Sequence, residues 1–177
     1  MEDLGSRAAR IRLLTLDVDG VLTDGRLWFG PSGEELKVFH SRDGHGLKML
    51  RESGVGLAII TGRSSRALER RAAELGIVRL YQGVEDKAAV MQELLAELGI
   101  GRSAAACMGD DVVDLPLLLR CGLAITVPDA PEIVRQHAHY ITRHAAGAGA
   151  VREACELIMS AQGSLQQRLA QYLGGGQ

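Results

Sequence analysis

Four short stretches of this chain carry side chains that could act on a substrate rather than merely support a fold. They are Asp17 and Asp19 in "LLTLDVDGVLTDG", Thr61 in "IITGR", Lys87 after "YQGVED", and Asp110, Asp111 and Asp114 in "MGDDVVD". Singly, each has an ordinary explanation: Asp-Gly pairs make turns, Thr caps helices and a lone Lys is solvated. Jointly, those explanations fail. Several carboxylates drawn into one crevice repel one another unless a cation neutralises them, and hard oxygen ligands select Mg2+, which keeps waters and shares a substrate phosphate. A Lys and a Thr hydroxyl aimed at the same point supply a positive charge and a donor for phosphoryl oxygens. That is equipment for phosphoryl transfer. Two acids in "DVDG" imply divided labour. Asp17, nearer the rigid strand end, attacks phosphorus and becomes an aspartyl-phosphate. Asp19 protonates the leaving alcohol and then activates the hydrolytic water.

These residues meet only if the chain places them at the carboxyl ends of parallel strands. Apolar runs at Ile11–Leu16, Gly56–Ile60, Val78–Tyr81, Ala104–Met108, Leu123–Val127 and Tyr140–Thr142 read as strands. Helical patterns fill the gaps at Gly46–Glu52, Arg66–Leu75, Lys87–Leu98, Val112–Arg120, Glu132–His137 and Ala150–Met159. Continuous apolar strands alternating with helices imply an α/β fold, a doubly wound, mainly parallel sheet covered on both faces. At 177 residues the chain suits a single domain, assigned to residues 1–163. A weak helix pattern and "GGGQ" leave residues 164–177 as an expected mobile tail.

"RLWFGPSGEELKVFH" (Arg26–His40) breaks the rhythm and reads as an inserted β-hairpin. It holds the only Trp, Trp28, and both Phe residues, Phe29 and Phe39. A hairpin cannot bury three aromatics against itself, so they pack on the parent domain or form a subunit contact. A net charge of −2 gives no reason to expect nucleic acid or an anionic membrane as partner. Cys107, Cys121 and Cys155 lack any C-x-x-C spacing and read as reduced packing residues. No apolar run is long enough for a membrane helix, and Met1 to Ile11 is too polar for a signal peptide, so the expectation is a cytoplasmic protein.

The ordered set "DVDG", "TGR", Lys87 and "GDDVVD" resembles the haloacid dehalogenase superfamily of phosphatases. The likeness implies that Asp17, the backbone carbonyl of Asp19, and Asp110 hold Mg2+, that Thr61 and Lys87 bind the transferring phosphoryl group, and that Asp111 and Asp114 support the metal and Lys87 from behind. "GEELKVFHSRDGHGLK", "AIITGRSS", "LGIVRLYQGVEDK" and "GAVREACELI" resemble the 3-deoxy-D-manno-octulosonate 8-phosphate phosphatase branch, from about Leu13 to Gly163. Members lack a cap domain and are typically homotetramers in which one subunit's hairpin covers a neighbour's site. The spacing agrees: about forty residues from Asp19 to Thr61, and about twenty-five from there to Lys87, leave no room for a sizeable lid. The branch implies an acidic eight-carbon sugar phosphate as substrate, in lipopolysaccharide biosynthesis. Its substrate-binding positions fall on His40, Ser41, Arg42, Asp43, Gly44, Lys48, Gly62, Arg63, Arg71 and Lys87. Arg can hold a carboxylate by two parallel hydrogen bonds. Lys48 stands where the branch has Arg, and "AAGAGAVRE" places Ala148 where it has another.

Two competing readings remain: a nine-carbon ulosonate 9-phosphate phosphatase of the sialic acid or KDN type, and, from another class, a phospho-receiver or silent regulatory subunit. A nucleotide site at "GAGAVR" and a metal site at His137, His139 and His144 are discounted.

Overall fold

The computed structural model describes residues 3–174. The chain opens with α1 (Leu4–Ala9), whose Asp3 cap accepts from the N–H of Ser6 at 3.0 Å. Then β1 (Leu13–Leu16) enters the core, with all four residues buried. The hairpin follows as β2 (Trp28–Phe29) and β3 (Glu35–Leu36), pairing antiparallel with Trp28 opposite Leu36. After it the chain alternates: α2 (Ser41–Glu52), β4 (Gly56–Ile60), α3 (Arg66–Leu75), β5 (Arg79–Tyr81), α4 (Lys87–Leu98), β6 (Ala105–Met108), α5 (Leu115–Leu118), β7 (Leu123–Thr126), α6 (Glu132–His137) and β8 (Tyr140–Ile141). It ends with α7 (Ala150–Ala161) and α8 (Leu165–Ala170).

The main sheet has six strands in the order β5-β4-β1-β6-β7-β8, all parallel. Strand β1 lies between β4 and β6, in register Leu16↔Ile59 and Leu16↔Met108. Every loop leaving a carboxyl end therefore emerges on one rim, where the sequence placed its acids.

Two expectations change. Helix α2 begins at Ser41, five residues before the expected Gly46. The glycines that blurred its pattern serve close packing. A Cβ on Gly46 would sit 2.8 Å from Arg152 Cδ of α7, and one on Gly44 would sit 2.1 Å from Arg71 Nη2 of α3. The tail expected to be mobile folds back as α8 over residues 165–170. Leu165 and Leu169 pack on the core, and the Tyr172 ring meets His45 edge-on at 5.4 Å. Of its "GGGQ" terminus, residues 175–177 lie outside the described residues. The α1 segment had no apolar period strong enough to announce it.

The aromatics divide. Phe39 packs against the core beneath the Arg71 guanidinium, 5.9 Å from its ring centre. Trp28 and Phe29 stay half-exposed or more, beside exposed Leu27, Leu36 and Val38. All three cysteines are free thiols. Among the described residues, no helix is long and apolar enough to cross a membrane.

Candidate active site

The carboxyl end of β1 delivers Asp17, whose N–H donates to Met108 O at 3.0 Å and so locks it beside β6. The chain then turns at Gly20, where φ is +88°. Here only glycine fits on two counts: L-residues avoid that φ, and a Cβ would lie 2.0 Å from Asp110 Oδ2. The Asp17 and Asp110 loops are thus packed with nothing between them. Gly109 makes the same close approach to Asp114, since a Cβ added at Gly109 would lie 2.4 Å from the Asp114 Cβ.

Lys87, the first residue of α4, is positioned by its Asp86 cap, which accepts from Ala88 and Ala89 N–H at 3.0 Å. Its ammonium, 6% exposed, lies 2.8 Å from Asp17 Oδ2 and 2.7 Å from Asp114 Oδ1. Burial pulls Lys87 toward neutrality, but Asp17 and Asp114 outweigh it and hold the charge above the usual lysine value. Asp114 is itself fully engaged, since its Oδ2 accepts from Asp110 N at 3.0 Å and Asp111 N at 3.3 Å. Asp111 does not reach Lys87; it caps the turn after β6, accepting from Val112 N at 2.7 Å.

The other acids are under-compensated. Asp17 Oδ1, Asp19 Oδ2 and Asp110 Oδ1 are buried without a hydrogen-bond partner. Burial, with Asp114 repelling, pushes Asp17 above the carboxylate range, and Lys87 offsets this only in part. Asp110 is driven up to about 7 by burial, then by Asp114 and Asp17. Carboxylate oxygens of Asp17, Asp110 and Asp114 lie within 4.8 Å of one another. With both Asp114 oxygens already taken, Asp17 and Asp110 are the pair whose free lone pairs suit a hard cation.

Thr61 follows β4, buried at 2% exposure, and its hydroxyl faces the Arg63 N–H at 3.5 Å. Thr61, Gly62 and Arg63 line a cavity of about 280 Å³ with Asp17, Asp19, Lys87, Asp110 and Asp111. The expected catalytic and metal-holding residues therefore share one crevice. The expected substrate residues do not all join them. Ser41 and Arg71 line a neighbouring cavity, and Arg42 a third with Arg143 and Arg152. His40 caps the start of α2, and Lys48 is half-buried on the same helix. Asp43, expected among the substrate residues, is instead 1% exposed and consumed in packing, accepting from Arg152 N at 2.8 Å and Gly149 N at 3.3 Å. That contact ties α2 to the start of α7, and Gly44 admits Arg71 beside it. Ala148 is exposed one residue before Gly149.

Two residues of the cavity mouth escaped the sequence reading. Lys37 Nζ, 3% exposed, reaches Asp19 Oδ1 at 2.5 Å and Glu35 Oε1 at 2.7 Å. Glu35 also binds the Arg63 guanidinium. The signal was present: in "GEELKVFH" an extended chain turns Glu35, Lys37 and Phe39 to one side and Leu36 and Val38 to the other.

A parallel sheet whose acids, Thr and Lys converge at the carboxyl rim, first acid on the central strand, is the architecture of a haloacid dehalogenase-like hydrolase, and the model of that family matches residues 78–154. The Yersinia pestis 3-deoxy-D-manno-octulosonate 8-phosphate phosphatase KdsC is 48% identical over 93% of this chain and 88% of its own. The corresponding Moraxella catarrhalis enzyme, crystallised with magnesium, phosphate and KDO, superposes with a TM-score of 0.94 at 44% identity, covering 96% of this chain and 97% of that one. The cobalt-bound Haemophilus influenzae phosphatase superposes at 0.88, with 38% identity over 92% and 98%. The chain belongs to the 3-deoxy-D-manno-octulosonate 8-phosphate phosphatase family.

Proposed function

We propose that this chain is a Mg2+-dependent phosphomonoesterase that converts 3-deoxy-D-manno-octulosonate 8-phosphate to the free sugar acid and phosphate. The observation that carries the reading is the pair of buried, unpartnered oxygens on Asp17 and Asp110 beside a buried, charged Lys87. Asp17, Asp110 and the Asp19 carbonyl would hold the cation, which would neutralise the acids and the phosphoryl charge. Lys87 and the Thr61 hydroxyl bind the phosphoryl oxygens, with Asp114 fixing Lys87. Asp17 attacks phosphorus as the ester bond breaks, and Asp19 gives the departing alkoxide its proton. Asp19 then takes a proton from the water that cleaves the acyl-phosphate, restoring Asp17. Arg63, at the mouth, is placed for the substrate carboxylate.

In this reading the molecule works as a homotetramer. Leu27, Trp28, Phe29, Leu36 and Val38 form an exposed apolar face on the hairpin, and the substrate residues of α2 and α3 open onto separate cavities that a neighbour could join. The free thiols suit a reducing compartment, the cytoplasm.

Phosphate release across a panel of sugar phosphates, with and without Mg2+, tests the reading. The eight-carbon acid ester should be hydrolysed fastest, and only with metal. Faster release from a nine-carbon ulosonate 9-phosphate reassigns the substrate. A long-lived acyl-phosphate on Asp17 without turnover replaces the phosphatase by a receiver. Deleting the hairpin between Leu27 and Phe39 should give smaller oligomers with weak activity; a fully active monomer refutes closure by a neighbour.

A further inference from the structure

Four side chains close the mouth of the Asp17 cavity into a ring of alternating charge. Asp19 and Arg63 come from the parent domain, Glu35 and Lys37 from the hairpin. Lys37 bridges Asp19 and Glu35. Glu35 Oε2 pairs with Arg63 Nη2, and Arg63 Nε lies 3.7 Å from Asp19 Oδ2. With Asp19 ionised, its state once the departing alkoxide has taken its proton, two anions and two cations leave the ring neutral. The Glu35 side chain is only 14% exposed, and both its oxygens face cations. Lys37 and Arg63 hold its carboxyl below the usual carboxylate range, so it stays ionised.

An acidic ligand meets a difficulty here. Adding its carboxylate to a neutral ring leaves one negative charge in excess, beside a cavity already crowded with acids. Exchanging it for Glu35 keeps the charge balance. We propose that Glu35 is an internal competitor for the substrate's carboxylate: in the free enzyme it occupies the position on Arg63 and Lys37 that the ligand's carboxylate takes, and it reclaims that position when the sugar acid leaves. This rests on the acidic sugar phosphate as substrate and on Arg63 as partner of its carboxylate. The chemistry favours such a device. Hydrolysis removes the phosphate but not the carboxylate, so the product keeps its grip on Arg63 unless something displaces it. Affinity shared equally by substrate and product does not speed the chemical step.

Glu35→Gln tests this, because it keeps the size of the side chain and removes its charge. The KM for the acidic ester should fall roughly three- to tenfold. The Kd of the free eight-carbon sugar acid should fall by a similar factor, read without turnover from the emission of Trp28, the only tryptophan, on the same hairpin. KM for a sugar phosphate lacking a carboxylate should move much less. In an Arg63→Met background most of the Glu35→Gln gain should vanish. If Glu35 serves only to pin the hairpin down, its loss loosens the mouth and raises both KM values, which overturns the inference. An unchanged Kd for the sugar acid overturns it equally. A wild-type enzyme that prefers the neutral ester refutes the functional reading instead, and the Kd comparison still decides the role of Glu35.

Discussion

Asp110 and Glu153 are both largely withdrawn from water, and the chain treats them in opposite ways. Burial raises Glu153 too, but it accepts from Tyr140 Oη at 2.6 Å, from Arg143 and His144 N–H at 3.0 and 3.1 Å, and lies 2.6 Å from the His144 ring. Those partners win and hold it at about 2. Asp110 has no comparable set of donors. Its Oδ1 has no partner, its nearest neighbours are other acids, and it stands at about 7. One carboxylate is satisfied and staples the β8–α7 loop. The other is left in want of a positive charge from outside the chain. The satisfied acid is architecture, and the unsatisfied one is where chemistry is expected.

The largest effect should come from the unsatisfied cluster. Asp17→Asn removes the nucleophile without changing size, so turnover should fall by at least about a thousandfold. Its thermal midpoint should stay level or rise, because one repelling charge is gone. Retained hydrolysis would move the nucleophile elsewhere. Stripping the metal with a chelator should abolish turnover, and added Mg2+ should restore it. Glu153→Gln should do the reverse of Asp17→Asn. It should lower stability by roughly 3 kcal/mol, through weakened charge-assisted hydrogen bonds, with turnover per folded molecule little changed. Chemical denaturation alongside phosphate release measures both.

The remaining effects are in pH, and their signs are opposite. Asp110, raised from 3.8 to about 7, adds stability below pH 4 that is lost as pH climbs through 7 in metal-free protein. Glu153, lowered from 4.5 to about 2, adds stability above pH 4.5 that is lost as pH falls through 2. Melting scans of chelated protein should show the first trend, and saturating Mg2+ should flatten it. A flat scan without metal would mean that Asp110 finds a partner within the chain.

The same contrast marks what could be read from the sequence. The acids, Thr61 and Lys87 stood out because strand ends in a parallel sheet can be located from apolar runs, and strand ends place side chains. Asp43 misled. It joined the substrate positions only through the family resemblance, and only three-dimensional packing reveals the amides of Gly149 and Arg152 that occupy its carboxylate. Lys37 and Glu35 escaped because the alternation along Glu35–Phe39 gives their common side but not which way the hairpin leans. The start of α2 was hidden by Gly44 and Gly46, which weaken a helix pattern while allowing close approach to Arg71 and Arg152.

Strand β1, fully buried and bonded along both edges, has a consequence for how the molecule loosens. Its amides should be among the last to exchange with deuterium, while the outer strand β8 opens earlier. Warming would then fray the rim before the nucleophile's anchor gives way, so partial opening ought to alter which ligands are admitted well before it silences the phosphorus chemistry.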